Sequence, residues 1–172
     1  MAVAIKQMGF PNIKIYNGGL KDWIKAGNSI HSISPLPKTK INAIDVDELM
    51  AIVMDADTKN CVDAAGRPIL TLIDFRTNQN IIDKKGADKY QIKTTCKTIK
   101  AVLDDFIDNE KLIQSIPDDG LTLSISETGN RDEFLIRYLS QFGKTKILSL
   151  KYGMRNWLKA NYPVEEVTPA GD

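Results

Sequence analysis

The sequence predicts an α/β fold built on a largely parallel sheet, and three observations carry that reading. Two aliphatic runs, ILTLIDF at 69–75 and LTLSI at 121–125, are bounded by Pro68 and by the turn Pro117-Asp118-Asp119-Gly120, as buried parallel strands are. Apolar residues before, between and after them recur at helical spacing. The run at 121–125 also passes through six residues directly into one of those helices, giving the strand-loop-helix order of α/β proteins.

Taken in order, Asp45 with Glu48 three residues on predicts a capped helix start, and Val46, Leu49, Met50 and Val53 supply its apolar face. Ile99, Val102, Leu103, Phe106 and Ile107 space as another helix. After the strand at 121–125, a helix opens at Asp132. Phe134, Leu135, Tyr138, Leu139 and Phe142 repeat along it, and Gly143 marks its end. Ile147 to Leu150 is a short buried strand, followed by a short helix that carries Trp157.

The two ends of the chain resemble each other. GGLKDWIKAGNSI at 18–30 matches YGMRNWLKANYPV at 152–164, and the same offset of 134 pairs residues 2–30 with 136–164 without gaps. Gln7, Gly9, Ile13, Gly19, Trp23, Lys25 and Ala26 fall on Gln141, Gly143, Ile147, Gly153, Trp157, Lys159 and Ala160. That pattern predicts a duplicated unit: helix end, Gly turn, strand, Gly turn, tryptophan helix. Residues 1–33 then read as the C-terminal part of a first unit, 34–40 as a linker with Pro35 and Pro37, 41–165 as a complete domain, and 166–172 as a tail. On this expectation the chain begins inside a domain.

At 172 residues, with 42% hydrophobic and 26% charged residues, the chain suits one compact core rather than disorder. Lys+Arg 23 against Asp+Glu 22 gives no electrostatic reason to expect nucleic acid or a membrane surface as partner. No apolar run is long enough to cross a bilayer, and MAVAIKQMGF does not read as a signal peptide. The chain as it stands reads as cytoplasmic, or exported if an N-terminal region is missing. Cys61 and Cys96 form no C-x-x-C pattern, so the spacing implies neither a disulfide framework nor a zinc site. A bridge between them remains open, with a thiol pair as the default expectation. The sequence implies no cofactor and no metal.

The segment Ser126-Glu127-Thr128-Gly129-Asn130-Arg131 is a natural anion cradle, because a strand-loop-helix junction aims backbone N–H groups and a helix N-terminus at one point. Gly129 permits a backbone conformation strained for other residues, and Arg131 offers a forked cation. Together with Asp74-Phe75-Arg76 after the first strand and Gly153-Met154-Arg155-Asn156-Trp157 near the end, this loop resembles the second half of a rhodanese-like domain. The resemblance covers about residues 40–165, with 2–30 similar to the end of a preceding copy, as in tandem rhodaneses. It implies a cysteine at the first loop position that carries sulfane sulfur as a persulfide. Ser126 stands there instead, and a serine hydroxyl forms no stable persulfide. His31, the one histidine, lies in the first unit and is not at hand as a base. The usual acidic-aromatic pair and Gly-His-Ile segment are also absent from TNQNIIDKKGADKYQIKTTCKT at 77–98.

Three functional readings follow. The first is a catalytically silent rhodanese-like domain with a structural, anion-binding or partner-binding role, the loop taking a small anion such as thiosulfate or sulfate. The second is a fragment of a sulfurtransferase whose working cysteine precedes Met1, since the offset puts the first copy's loop about eight residues upstream. A phosphatase on the related cysteine-loop fold ranks last, for want of the same thiolate. Asp74 and Arg76 are expected to brace the loop. Cys96, flanked by Lys93 and Lys97, is the outside candidate for a displaced nucleophile. The apolar face of residues 2–30 is expected to dock on the second domain or to pair with another chain, the latter giving self-association.

Overall fold

The computed structural model describes residues 9, 14, 16–30, 36–76 and 90–167. The chain divides into two compact units, 1–35 and 36–172. The expected strand around Ile13 lies outside the described residues.

In the first unit the described element is helix α1, Gly19–Lys25. It is short and amphipathic, and none of its residues is buried.

The second unit contains β1 (Ala43–Ile44), α2 (Val46–Thr58), β2 (Leu70–Asp74), β3 (Tyr90–Ile92), β4 (Lys97–Lys100), α3 (Leu103–Asp108) and α4 (Glu110–Gln114). It continues through β5 (Leu121–Ile125), α5 (Asp132–Ser140), β6 (Ile147–Leu150), α6 (Gly153–Lys159) and β7 (Val164–Glu166). Among the described residues, five strands form one parallel sheet in the order β1-β6-β5-β2-β4. The α/β expectation holds. Asp45 caps α2 by accepting from the Glu48 amide at 3.1 Å, as its spacing with Glu48 predicts.

Side chains alternate across the sheet, so the strands build two cores. On one face Leu70, Leu72, Leu123, Ile125 and Leu150 pack with Leu49, Val53 and Ala56 of α2 and with Met154 and Trp157 of α6. On the other, Ile73, Ile99 and Ile147 pack with Phe106, Ile113 and with Leu135, Ile136 and Leu139 of α5. The second face also buries Ser124 and Ser149 near the C-terminal ends of β5 and β6.

Two elements differ from the sequence expectation. Ile99 belongs to β4, paired beside Ile73 of β2, and the helix starts only at Leu103. A strand end and a short helix placed in tandem mimic the spacing of one longer helix. β3 and β7 form a small antiparallel ribbon, Tyr90 opposite Glu166 and Ile92 opposite Val164, a pairing the sequence expectation did not include.

Candidate functional site

Parallel strands bring all their C-terminal ends to one edge, and there the loop 126–131 lies. β5 ends at Ile125, abreast of Asp74 at the end of β2. Ser126, the next residue, is buried, with 1% of its surface exposed. Its Oγ accepts a hydrogen bond from the Gly129 amide at 3.0 Å, so the loop does aim an N–H at the side chain of its first position.

The loop is locked from above by the start of α6. The amides of Met154 and Arg155 donate to the carbonyls of Ser126 (2.9 Å) and Glu127 (3.1 Å), and Arg155 Nε also reaches Glu127 Oε1 at 3.0 Å. Two glycines make this approach feasible. Gly129 has φ +83 and Gly153 φ +62, and a Cβ on Gly153 would lie 2.3 Å from the Ser126 carbonyl oxygen and 2.7 Å from the Gly129 nitrogen. Thr128 is half-buried, while Asn130 and Arg131 are exposed at the rim.

Beneath the loop sits Asp132, which is fully buried. Its carboxylate accepts from Ser149 Oγ at 2.8 Å and Ser124 Oγ at 3.1 Å. Burial pushes its pKa up to about 6, although the hydroxyls of Ser149, Ser126 and Ser124 and the Ser126 amide all donate to it and work in the opposite direction. Ser126 therefore turns donors inward, toward a carboxylate that the protein itself supplies. Asp132 was not singled out from sequence. The signal was present, because Asp132, Leu135, Ile136 and Leu139 share one helical face, which puts an acid on an apolar stripe.

Asp74 and Arg76 are close neighbours of the loop but are engaged with one another. Arg76 Nε donates to Asp74 Oδ1 at 2.8 Å and its terminal nitrogen to Oδ2 at 2.7 Å, with both side chains at least nine-tenths buried. Arg76 also donates to the Tyr90 carbonyl at 2.6 Å, tying the end of β2 to β3.

Cys96 is elsewhere. It precedes β4, whose Lys97 pairs with Thr71, so it lies at the N-terminal edge of the sheet. A five-residue strand, roughly 16 Å at 3.3 Å per residue, separates that edge from the loop. Cys96 is joined to Cys61 in a disulfide with Cα atoms 5.1 Å apart, which corrects the expected thiol pair. The reason is tertiary: the turn after α2 and the entry to β4 meet at one edge, which a separation of 35 residues does not disclose. A displaced nucleophile at Cys96 would be both far from the cradle and already bonded.

Among the described residues no helix is long and apolar enough to cross a membrane. No family model matches the sequence, and no curated protein matches it. Solved structures do. The solution structure of the rhodanese-like domain of the Anabaena sp. Alr3790 protein matches with TM-score 0.50 and 17% identity, over 77% of this chain and 88% of that one. A full-length Lactobacillus plantarum protein matches with TM-score 0.52 and 16% identity, over 73% and 88%. A rhodanese-related protein from Thermoplasma volcanium is 18% identical over 72% of this chain and 97% of its own, with TM-score 0.48. At such identities the likeness is one of fold.

Proposed function

With a rhodanese-like fold as the premise, we propose that this chain is a catalytically silent member of that fold, whose 126–131 loop is retained as a structural junction with an anion-binding rim. The observation that carries the reading is the buried pair Ser126 and Asp132. Sulfur transfer needs a thiolate at the loop's first position, stabilised by positive potential. Here a hydroxyl occupies it, and the carboxylate directly below adds negative charge where a cradle would favour an external anion. Asn130 and Arg131 remain exposed at the helix start, and there a small oxyanion such as thiosulfate or sulfate would bind.

The test is direct. The chain is expected to make no thiocyanate from thiosulfate and cyanide above background. Ser126→Cys, incubated with thiosulfate, separates the two causes of silence: a gain of one sulfur atom by intact mass assigns it to the missing thiol alone, and no gain assigns it to the buried Asp132 carboxylate as well. Turnover by the unaltered chain that Cys96→Ala abolishes would overturn the reading.

A second reading, a sulfurtransferase whose working cysteine lies in a companion unit, is favoured by one specific observation. Helices α1 and α6 span seven residues each, at the same offset of 134 that relates their sequences. Under this reading the second unit supports a catalytic first one, and a longer chain that includes the companion loop would turn over thiosulfate while Ser126→Ala leaves the rate unchanged.

A further inference from the structure

At the sheet edge opposite the loop, three side chains from separate segments converge. Asp57 comes from the last turn of α2, Cys61 from the turn after it, and Cys96 from the entry to β4. One ligand atom from each lies within 4.8 Å of the others. Asp57 Oδ1 is 3.7 Å from Cys61 Sγ and 4.0 Å from Cys96 Sγ. Both cysteines are buried.

The carboxylate is held in place by three donors: Thr94 Oγ1 at 2.7 Å, the Thr95 amide at 2.8 Å and Thr95 Oγ1 at 2.9 Å. This is the kind of hydroxyl and amide support that orients a ligating carboxylate. Two nearby lysines are engaged elsewhere. Lys59 Nζ rests on Asp55, and Lys97 Nζ donates to the Ser115 carbonyl. The cluster thus combines two sulfurs and an oriented carboxylate with no lysine or arginine paired to that carboxylate among the described residues.

We propose that Asp57, Cys61 and Cys96 form a site for a thiophilic divalent cation of the zinc class when the cysteines are reduced, and that the disulfide is the cation-free oxidised form of the same site. A dithiol reductant delivers two electrons and two protons to the disulfide and leaves as its own disulfide. The two thiols then release those two protons as their thiolates bind the cation. Two thiolates and a carboxylate fill three tetrahedral positions, and water takes the fourth. Tetrahedral Zn–S bonds of about 2.3 Å require sulfurs roughly 3.7 Å apart. Opening the bridge by side-chain rotation supplies that, since the two residues lie in turns at the ends of α2 and β4.

Cobalt is the probe, because its spectrum reports both ligand type and geometry. The full chain, reduced with a phosphine and desalted without oxygen, is expected to take up one equivalent of Co²⁺. Uptake should bring a thiolate-to-cobalt charge-transfer band and tetrahedral d–d bands, both lost on adding Zn²⁺. The oxidised chain should show neither. Cys96→Ser, which leaves one thiolate, should lose about half or more of the charge-transfer intensity, and Thr94→Val, which keeps all three ligands, should weaken binding on the order of 10-fold or more. A reduced chain without the charge-transfer band overturns the proposal, and that measurement needs no variant. Retention of the full spectrum in Cys96→Ser overturns it as well.

Discussion

Residues 19–29 and 153–163 adopt one local structure in two different surroundings. The tryptophan Nε1 of each donates to the carbonyl six residues on, Trp23 to Ser29 and Trp157 to Pro163, both at 3.0 Å. Gly19 and Gly153 open the helices at φ +61 and +62, and the second residue past each helix end, Gly27 or Asn161, again has positive φ. The amides of Ala26 and Ala160 close on Asp22 and Asn156 in the same way. Yet Leu20, Trp23 and Ile24 are 65%, 40% and 50% exposed, whereas Met154 and Trp157 are buried against the sheet. Local sequence is sufficient to write this motif, and the sheet of the second unit is what turns it into core.

That contrast makes unequal substitutions out of equal ones. Trp157→Ala removes the largest fully buried side chain and should cost about 3–5 kcal/mol in denaturant unfolding of the second unit. Trp23→Ala should cost less than about 1 kcal/mol in denaturant unfolding of the first unit. Equal losses at the two positions would mean that Trp23 is as well packed as its counterpart.

The next effect belongs to the second unit alone. Asp132 has its pKa raised to about 6 in the fold, so the folded state binds a proton more tightly than the unfolded chain. Its contribution is therefore fully present below the ordinary carboxylate range and is lost as pH rises through about 6. The difference is worth roughly 3 kcal/mol. Thermal melts should show stability falling between about pH 4 and 6, a fall that Asp132→Asn flattens. A slope unchanged in Asp132→Asn would assign it to other groups.

The glycine pair gives the smallest contrast. Gly153→Ala meets backbone at 2.3 Å in addition to a strained φ, while Gly19→Ala meets nothing within 4 Å. The first should cost on the order of 3 kcal/mol and the second about 1 kcal/mol. Circular dichroism melts of the two variants check the order.

Much of the fold was legible because strands β2, β5 and β6 are continuous aliphatic runs and Asp45 announces its helix. What escaped had tertiary causes. β4 was hidden because Ile99 fits a helical period with residues that belong to α3. β3 and β7 are three-residue strands whose pairing spans more than 70 residues, with no local pattern to mark them. At the candidate site, the loop and the anomalous serine were legible in the sequence, while the partners that satisfy them were not. Asp132 resembled an ordinary acidic first-turn residue until Ser124 and Ser149, from two different strands, closed around it. The disulfide likewise depends on which strand ends share an edge.

The interlock of Gly129 with Gly153 has a consequence for how such a domain changes over generations. The loop's shape is held by two residues without side chains and by amides of α6 that donate to its backbone carbonyls, contacts that make no use of the side chain at position 126; that side chain adds one further tie, from the Gly129 amide. A serine and a cysteine codon can differ by a single base, and the side chains differ by one atom. Most of the loop's architecture can therefore persist through a change of side chain at position 126, and a thiol there is one substitution away.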